Sequence, residues 1–134
     1  MTSSLGRLLV AQIALLKVRF LIRTIGFRRT LTLLSALPVV KRPMVAPDPR
    51  WASEIRHVAR PPLGGSCLDR SVLLWFVCRQ HRLDTDLKIG VQREEDTIVG
   101  HAWIEYAGAI INDDESFAAQ FAAFDDDPVN MVFR

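Results

Sequence analysis

The run Val72 to Val77 is apolar on every side of a helix and includes Trp75 and Phe76, so a helix there must be covered all round. Its start is marked locally. Gly64 and Gly65 loosen the chain, Ser66 is an expected N-cap, and Asp69 three residues on is a short-armed version of the capping-box acid. Cys67 then takes the first helical position, and the helix is expected to end near His81. Beyond it the hydrophobic period changes to two. Leu87, Ile89 and Val91 alternate with polar residues, Glu94, Glu95 and Asp96 read as a turn, Ile98 to Tyr106 as a second strand and Ala109 to Asp113 as a third. A wholly apolar helix followed by a meander of short strands predicts an α+β fold with the helix buried on a small antiparallel sheet. A last short helix is expected over Phe117 to Phe124, with Phe117, Phe121 and Phe124 on one face, ended by Asp125 to Asp127 and Pro128.

Ahead of this core, residues 1 to 48 read as a basic helical region with a proline-rich linker, and residues 49 to 134 as the core proper. Leu5, Leu8, Leu9, Ile13, Leu16, Phe20 and Ile25 recur near the helical period with Arg7, Lys17 and Arg23 between them, which predicts an amphipathic helix whose apolar face caps the core. Docking of that face on a partner helix or a membrane surface is the alternative. Leu31, Leu33, Leu34 and Leu37 suggest a second helix ending before Pro38. Pro38, Pro43, Pro47 and Pro49 exclude a long helix next, and a third is expected from about Pro49 to Ala59, before Pro61 and Pro62. With 134 residues and 49% hydrophobic content, one compact domain is expected overall.

Charge is divided unevenly. Residues 1 to 60 hold 11 Lys or Arg against Asp48 and Glu54, whereas residues 61 to 134 hold 6 against 13 acids, so a formal net charge of +2 conceals parts of +9 and −7. The basic part is expected to meet an acidic partner or to pack on the acidic part. Its cations alternate with Leu and Ile rather than with surface aromatics, which argues against nucleic acid. Lys17, Arg19 and Arg23 interrupt the apolar segment Leu8 to Ile25, so neither a membrane span nor a signal sequence is expected there, and peripheral membrane contact is not the favoured reading. Cys67 and Cys78 on one helix would lie roughly 16 Å apart at about 1.5 Å per residue, beyond the ~7 Å a disulfide allows. Free thiols point to a reducing, cytoplasmic setting.

The residues with chemistry to offer stand in the order Cys67, His101 (34 residues on) and Asp113 (12 further). Unpaired N–H groups at a helix start favour a thiolate and can stabilise a developing oxyanion. For His101, strand parity decides its partner. If Tyr106, Ala107 and Gly108 form a three-residue loop, with Gly108 in the left-handed conformation, Glu105 pairs with Ala109 and His101 falls opposite Asp113, which could fix the imidazole tautomer. A two-residue turn would shift the register by one and place Asp114 opposite instead. Mid-helix Cys78 reads as a small core hydrophobe, His57 and His81 as surface residues at helix ends, and Asp114 and Glu115 as a solvated hairpin end. A zinc site from Cys67, His101 and Asp113 would be chemically possible but lacks any paired metal-ligand spacing. Gly64 and Gly65 lack the Lys and the spacing of a phosphate loop, so no cofactor is expected.

The segments SCLDRSVLLW, LKIGV, GHAWIEY and IINDD, in this order, resemble the transglutaminase-like cysteine peptidases of lasso peptide biosynthesis, the stand-alone leader peptidases, over about residues 50 to 125. The resemblance implies a transglutaminase-like or papain-like fold with Cys67 as nucleophile, His101 as general base and acid, and Asp113 as the orienting acid. Arg70, Trp75 and Trp103 match motif positions of more structural character. It also implies a precursor peptide as substrate and a separate leader-recognition protein as partner. The ATP-dependent lasso cyclase that closes the freed core peptide is a further candidate partner. Acyl transfer and a noncatalytic peptide-binding role are the alternatives.

Overall fold

The computed structural model describes residues 4–59, 66–113 and 121–123. Along the chain come α1 (Ser4–Ile25), α2 (Phe27–Ala36), α3 (Pro49–Val58), α4 (Cys67–Gln80), β1 (Asp86–Glu94), β2 (Thr97–Tyr106), β3 (Ala109–Ile110) and β4 (Ala122–Ala123). The strands form one antiparallel sheet in the order β3-β2-β1-β4. This is the expected α+β architecture.

Helix α4 is the centre of the molecule, as its all-round apolarity requires. Val72, Leu73, Leu74, Trp75 and Cys78 are buried, and they meet Leu87 and Ile104 from the sheet, Leu15 and Val18 from α1, Leu31 and Leu34 from α2 and Ile55 from α3 in one cluster. The helix begins with a complete capping box. Asp69 N donates to Ser66 Oγ at 3.1 Å, and Ser66 N donates to Asp69 Oδ2 at 3.0 Å. At its other end Arg79 Nη2 and Gln80 Nε2 donate to the Ser35 and Pro38 carbonyls, so α4 also ties down the exit of α2. Pro49 opens α3, and Asp48 caps it by accepting from Arg50 N at 2.9 Å.

The face expected to bury α1 is the one left outside. Leu15 and Val18 enter the core, supported by Ala14 and Ile22, whereas Leu5 is 76% exposed, Phe20 66%, and Leu9, Ile13 and Leu16 also stand out. A helix apolar nearly all round offers several faces. The side carrying small Ala11 and Ala14 lets its backbone approach α3 and α4 closely, and that side wins. Gly26, at φ +89°, turns the chain into α2, which starts earlier than expected and leaves Leu33 and Leu37 exposed. Among the described residues no helix is long and apolar enough to cross a membrane.

A second correction concerns the expected helix over Phe117 to Phe124. Residues 121–123 instead form a bend and then β4, which pairs Ala123 with Gly90 and Ala122 with Val91. Strand β1 has an unpaired edge there, and edge groups take any extended segment that reaches them. The rest of the expected helix, and its acidic stop, lie outside the described residues. Phe121 packs on Trp103 with Val99 and Ile110 alongside, a small cluster separate from the α4 core.

Candidate active site

A cleft of about 170 Å³ opens where α3, the start of α4 and the β2–β3 end converge. Cys67, His101 and Asp113 all line it. From α4 come Cys67, Arg70, Ser71 and Leu74, at offsets of 3, 4 and 7 residues, which is one helix face. The opposite wall is Ala52, Ile55 and Arg56 of α3. Cys67 is half-buried at the first position of α4, among the N–H groups of the first helical turn that have no partner one turn earlier in the helix.

His101 is largely withdrawn from solvent, its side chain 11% exposed. Its ring stacks on Trp103 at 5.9 Å and tilts against Phe121 at 5.0 Å. These contacts leave the imidazole little freedom to rotate. Its Nε2–H donates to Asp113 Oδ2, since a carboxylate can only accept. That pairing leaves Nδ1 as the nitrogen for proton exchange.

The route by which Asp113 arrives differs from the expectation. Ala107 and Gly108, both at positive φ, make a two-residue turn, so Tyr106 pairs with Ala109 and Glu105 with Ile110. Continued in that register, the ladder would bring Asp114 opposite His101. It does not continue. Ile111 N still donates to Ile104 O at 3.0 Å, but Ile104 N then donates to the Asn112 side-chain Oδ1 at 2.8 Å rather than to a backbone carbonyl. A side chain substituting for main chain takes the backbone off the ladder, and Asp113 is the acid delivered to the histidine.

Asn112 is the residue that sequence reasoning passed over. Its Nδ2 donates to Ser71 Oγ at 3.1 Å, and Ser71 Oγ donates to Ala102 O at 3.1 Å. Arg56 Nη2 also donates to Asn112 O at 3.0 Å. The cysteine helix, the histidine strand and the aspartate segment are therefore bolted together one helical turn after Cys67 and one residue away from His101 and Asp113. The available signal was Asn immediately before Asp113, together with a Ser one helical turn after Cys67.

Other sequence candidates lie elsewhere. His57 is exposed, and His81 stacks on Trp51 at 4.6 Å, its protonation disfavoured by burial and then by the Lys41 charge. Among the described residues no three His, Cys, Asp or Glu side chains gather as metal ligands. Cys78 is fully buried, which pushes its thiol up to about 12. A group raised that far stays a neutral thiol throughout the neutral range, and only thiolates alkylate readily. Iodoacetamide at pH 7.5 is expected to add one label on Cys67 and none on Cys78 in the folded protein, read by peptide mapping. Equal labelling of the two would contradict the placement.

A central helix that starts in a cleft with a thiol, and a sheet that supplies an imidazole–carboxylate pair to the same cleft, define an α+β domain of the transglutaminase type. The chain belongs to the transglutaminase-like superfamily, whose family model matches residues 12–124. That superfamily includes cysteine peptidases and acyltransferases. No curated protein and no solved structure matches the chain.

Proposed function

We propose that this domain is a cysteine peptidase that removes the leader from a ribosomally made lasso peptide precursor. The observation that carries the catalytic part is the His101–Asp113 hydrogen bond in a cleft shared with Cys67. Cys67 gives its proton to His101 Nδ1 and attacks the peptide carbonyl at the leader–core junction. Helix-start N–H groups face the developing oxyanion. The imidazolium, stabilised by Asp113, protonates the departing core amine, leaving the leader as a thioester on Cys67. Water, deprotonated by His101, then attacks the thioester, and the sulfur leaves as the leader is released with a free carboxylate.

The choice of a lasso precursor rests on the segments SCLDRSVLLW, LKIGV, GHAWIEY and IINDD taken together. A separate recognition protein suits the outside of α1. Leu5, Leu9, Ile13, Leu16 and Phe20 recur on one exposed face, and no acid precedes Asp48 in the chain. A contiguous apolar face of this kind, bordered by Arg and Lys, fits a partner of apolar centre and acidic rim.

Product masses test the reaction. With a cognate precursor and its recognition protein, hydrolysis is expected to yield a leader ending in a free carboxylate and an intact core peptide. Added hydroxylamine is expected to divert part of the leader to its hydroxamate by intercepting the thioester. A leader joined to an amine of another peptide would establish acyl transfer instead, and an unchanged precursor would favour a noncatalytic binding role.

A further inference from the structure

The cleft holds more positive charge than the proposed chemistry uses. Arg70 lies on the same α4 face as Cys67, three residues on, and half-buried in the lining. Its guanidinium has no hydrogen-bond or ion-pair partner among the described residues. Across the cleft, Arg56 spends one N–H on Asn112 O and keeps the others. Among the described lining residues the one carboxylate, Asp113, is engaged by His101, and Asp69 is held in the capping box. Helix-start N–H groups of α4 add partial positive charge on the same side.

An arginine partly withdrawn from water and unmatched among the described residues is costly to leave so, and its planar fork is shaped for carboxylate. We infer that Arg70, with Arg56 opposite, forms an anion subsite beside Cys67 that holds a carboxylate of the bound peptide. The cleft volume of about 170 Å³ holds roughly one side chain, so the group it recognises belongs to a residue adjoining the scissile bond. Apolar Ile55 and Leu74, which line the same cleft, would take the aliphatic part of such a residue. Arg70 thereby acts on substrate choice, and the thiol–imidazole pair does the bond breaking.

This inference deepens the peptidase reading and rests on it for the peptide, but the subsite itself can be tested without any cleavage. Iodoacetate and iodoacetamide both lose iodide to the Cys67 sulfur, and they differ in one carboxylate against one amide. The iodoacetate-to-iodoacetamide rate ratio at Cys67, measured at low salt, is expected to exceed that of an unstructured cysteine peptide by about tenfold, the worth of one charge-assisted contact. Arg70→Gln should return the ratio to the peptide value, a readout in which any change of thiolate fraction cancels, while leaving the melting temperature near that of the native protein. Arg70→Lys serves if the glutamine variant does not fold, and should retain part of the preference because the charge stays and the fork is lost. A ratio equal to that of the free peptide, or one that survives Arg70→Gln, would overturn the subsite.

Short peptides then locate the carboxylate by their protection of Cys67 from iodoacetamide. Protection by an end-blocked peptide with an internal Asp, but not by its Asn counterpart, assigns a side chain. Protection only by a free C-terminus assigns a chain end, and protection by neither overturns a peptide carboxylate as the occupant. A Cys67 inert to both reagents would instead sink the peptidase reading.

Discussion

Replacing Cys67 with Ala will reduce precursor cleavage, assayed with the recognition protein present, by about 10⁴-fold or more, to the uncatalysed background, because no other thiol among the described residues lines the cleft to form the acyl intermediate. The sole other cysteine, Cys78, is buried in the α4 core and held as a thiol. The fold should survive. Cys67 is half-buried at the first position of a helix whose cap is built by Ser66 and Asp69, so losing one sulfur costs under about 1 kcal/mol. Far-ultraviolet circular dichroism and the melting temperature check that. A Cys67→Ala protein that folds and still releases leader at the native rate would remove the nucleophile assignment.

Asp113→Asn carries the second large expectation, a fall in kcat of about 10³- to 10⁴-fold with little change in KM. The carboxylate accepts the hydrogen bond from Nε2–H, and in the proposed mechanism this keeps Nδ1 free to take the thiol proton. An amide can turn its NH₂ toward Nε2, which moves the ring proton to Nδ1 and points a donor where an acceptor is needed. It also loses the negative charge that stabilises the imidazolium. Asp114→Asn is the informative companion. The hairpin register alone points to Asp114, whereas the Asn112 anchor delivers Asp113, so the companion variant should stay within about twofold of native. A larger loss for Asp114→Asn than for Asp113→Asn would show that the anchor does not select the acid.

That pair of variants also marks where sequence reasoning stopped. Asp113 does hydrogen-bond His101, but by a different route from the three-residue loop that had recommended it. Turn type depends on the competition between a left-handed Ala107 and a longer loop, and neither is visible in the apolar pattern. Even the correct turn would have named the wrong acid, because the backbone leaves the ladder at a hydrogen bond between Ile104 N and a side chain eight residues away. The aromatic cage about His101 was half legible. Trp103 follows from strand parity, whereas Phe121 arrives from a segment expected to be helical.

Local signals carried the rest. Ser66, Cys67 and Asp69 announce the start of α4, Pro49 that of α3, and the period-two residues 87, 89 and 91 the strand β1, because caps, fixed φ angles and strand alternation act within a few residues of their own position. By itself, then, the sequence determined a buried helix beginning at Cys67, an antiparallel sheet behind it, and three residues that line one cleft. Tertiary structure alone decided which face of α1 turns inward, which strand takes the open edge of β1, and how Asn112 and Ser71 lock the aspartate onto the histidine. Those outcomes depend on how closely backbones approach and on which distant groups satisfy one another's hydrogen bonds, and such energies exist only once the chain has closed on itself.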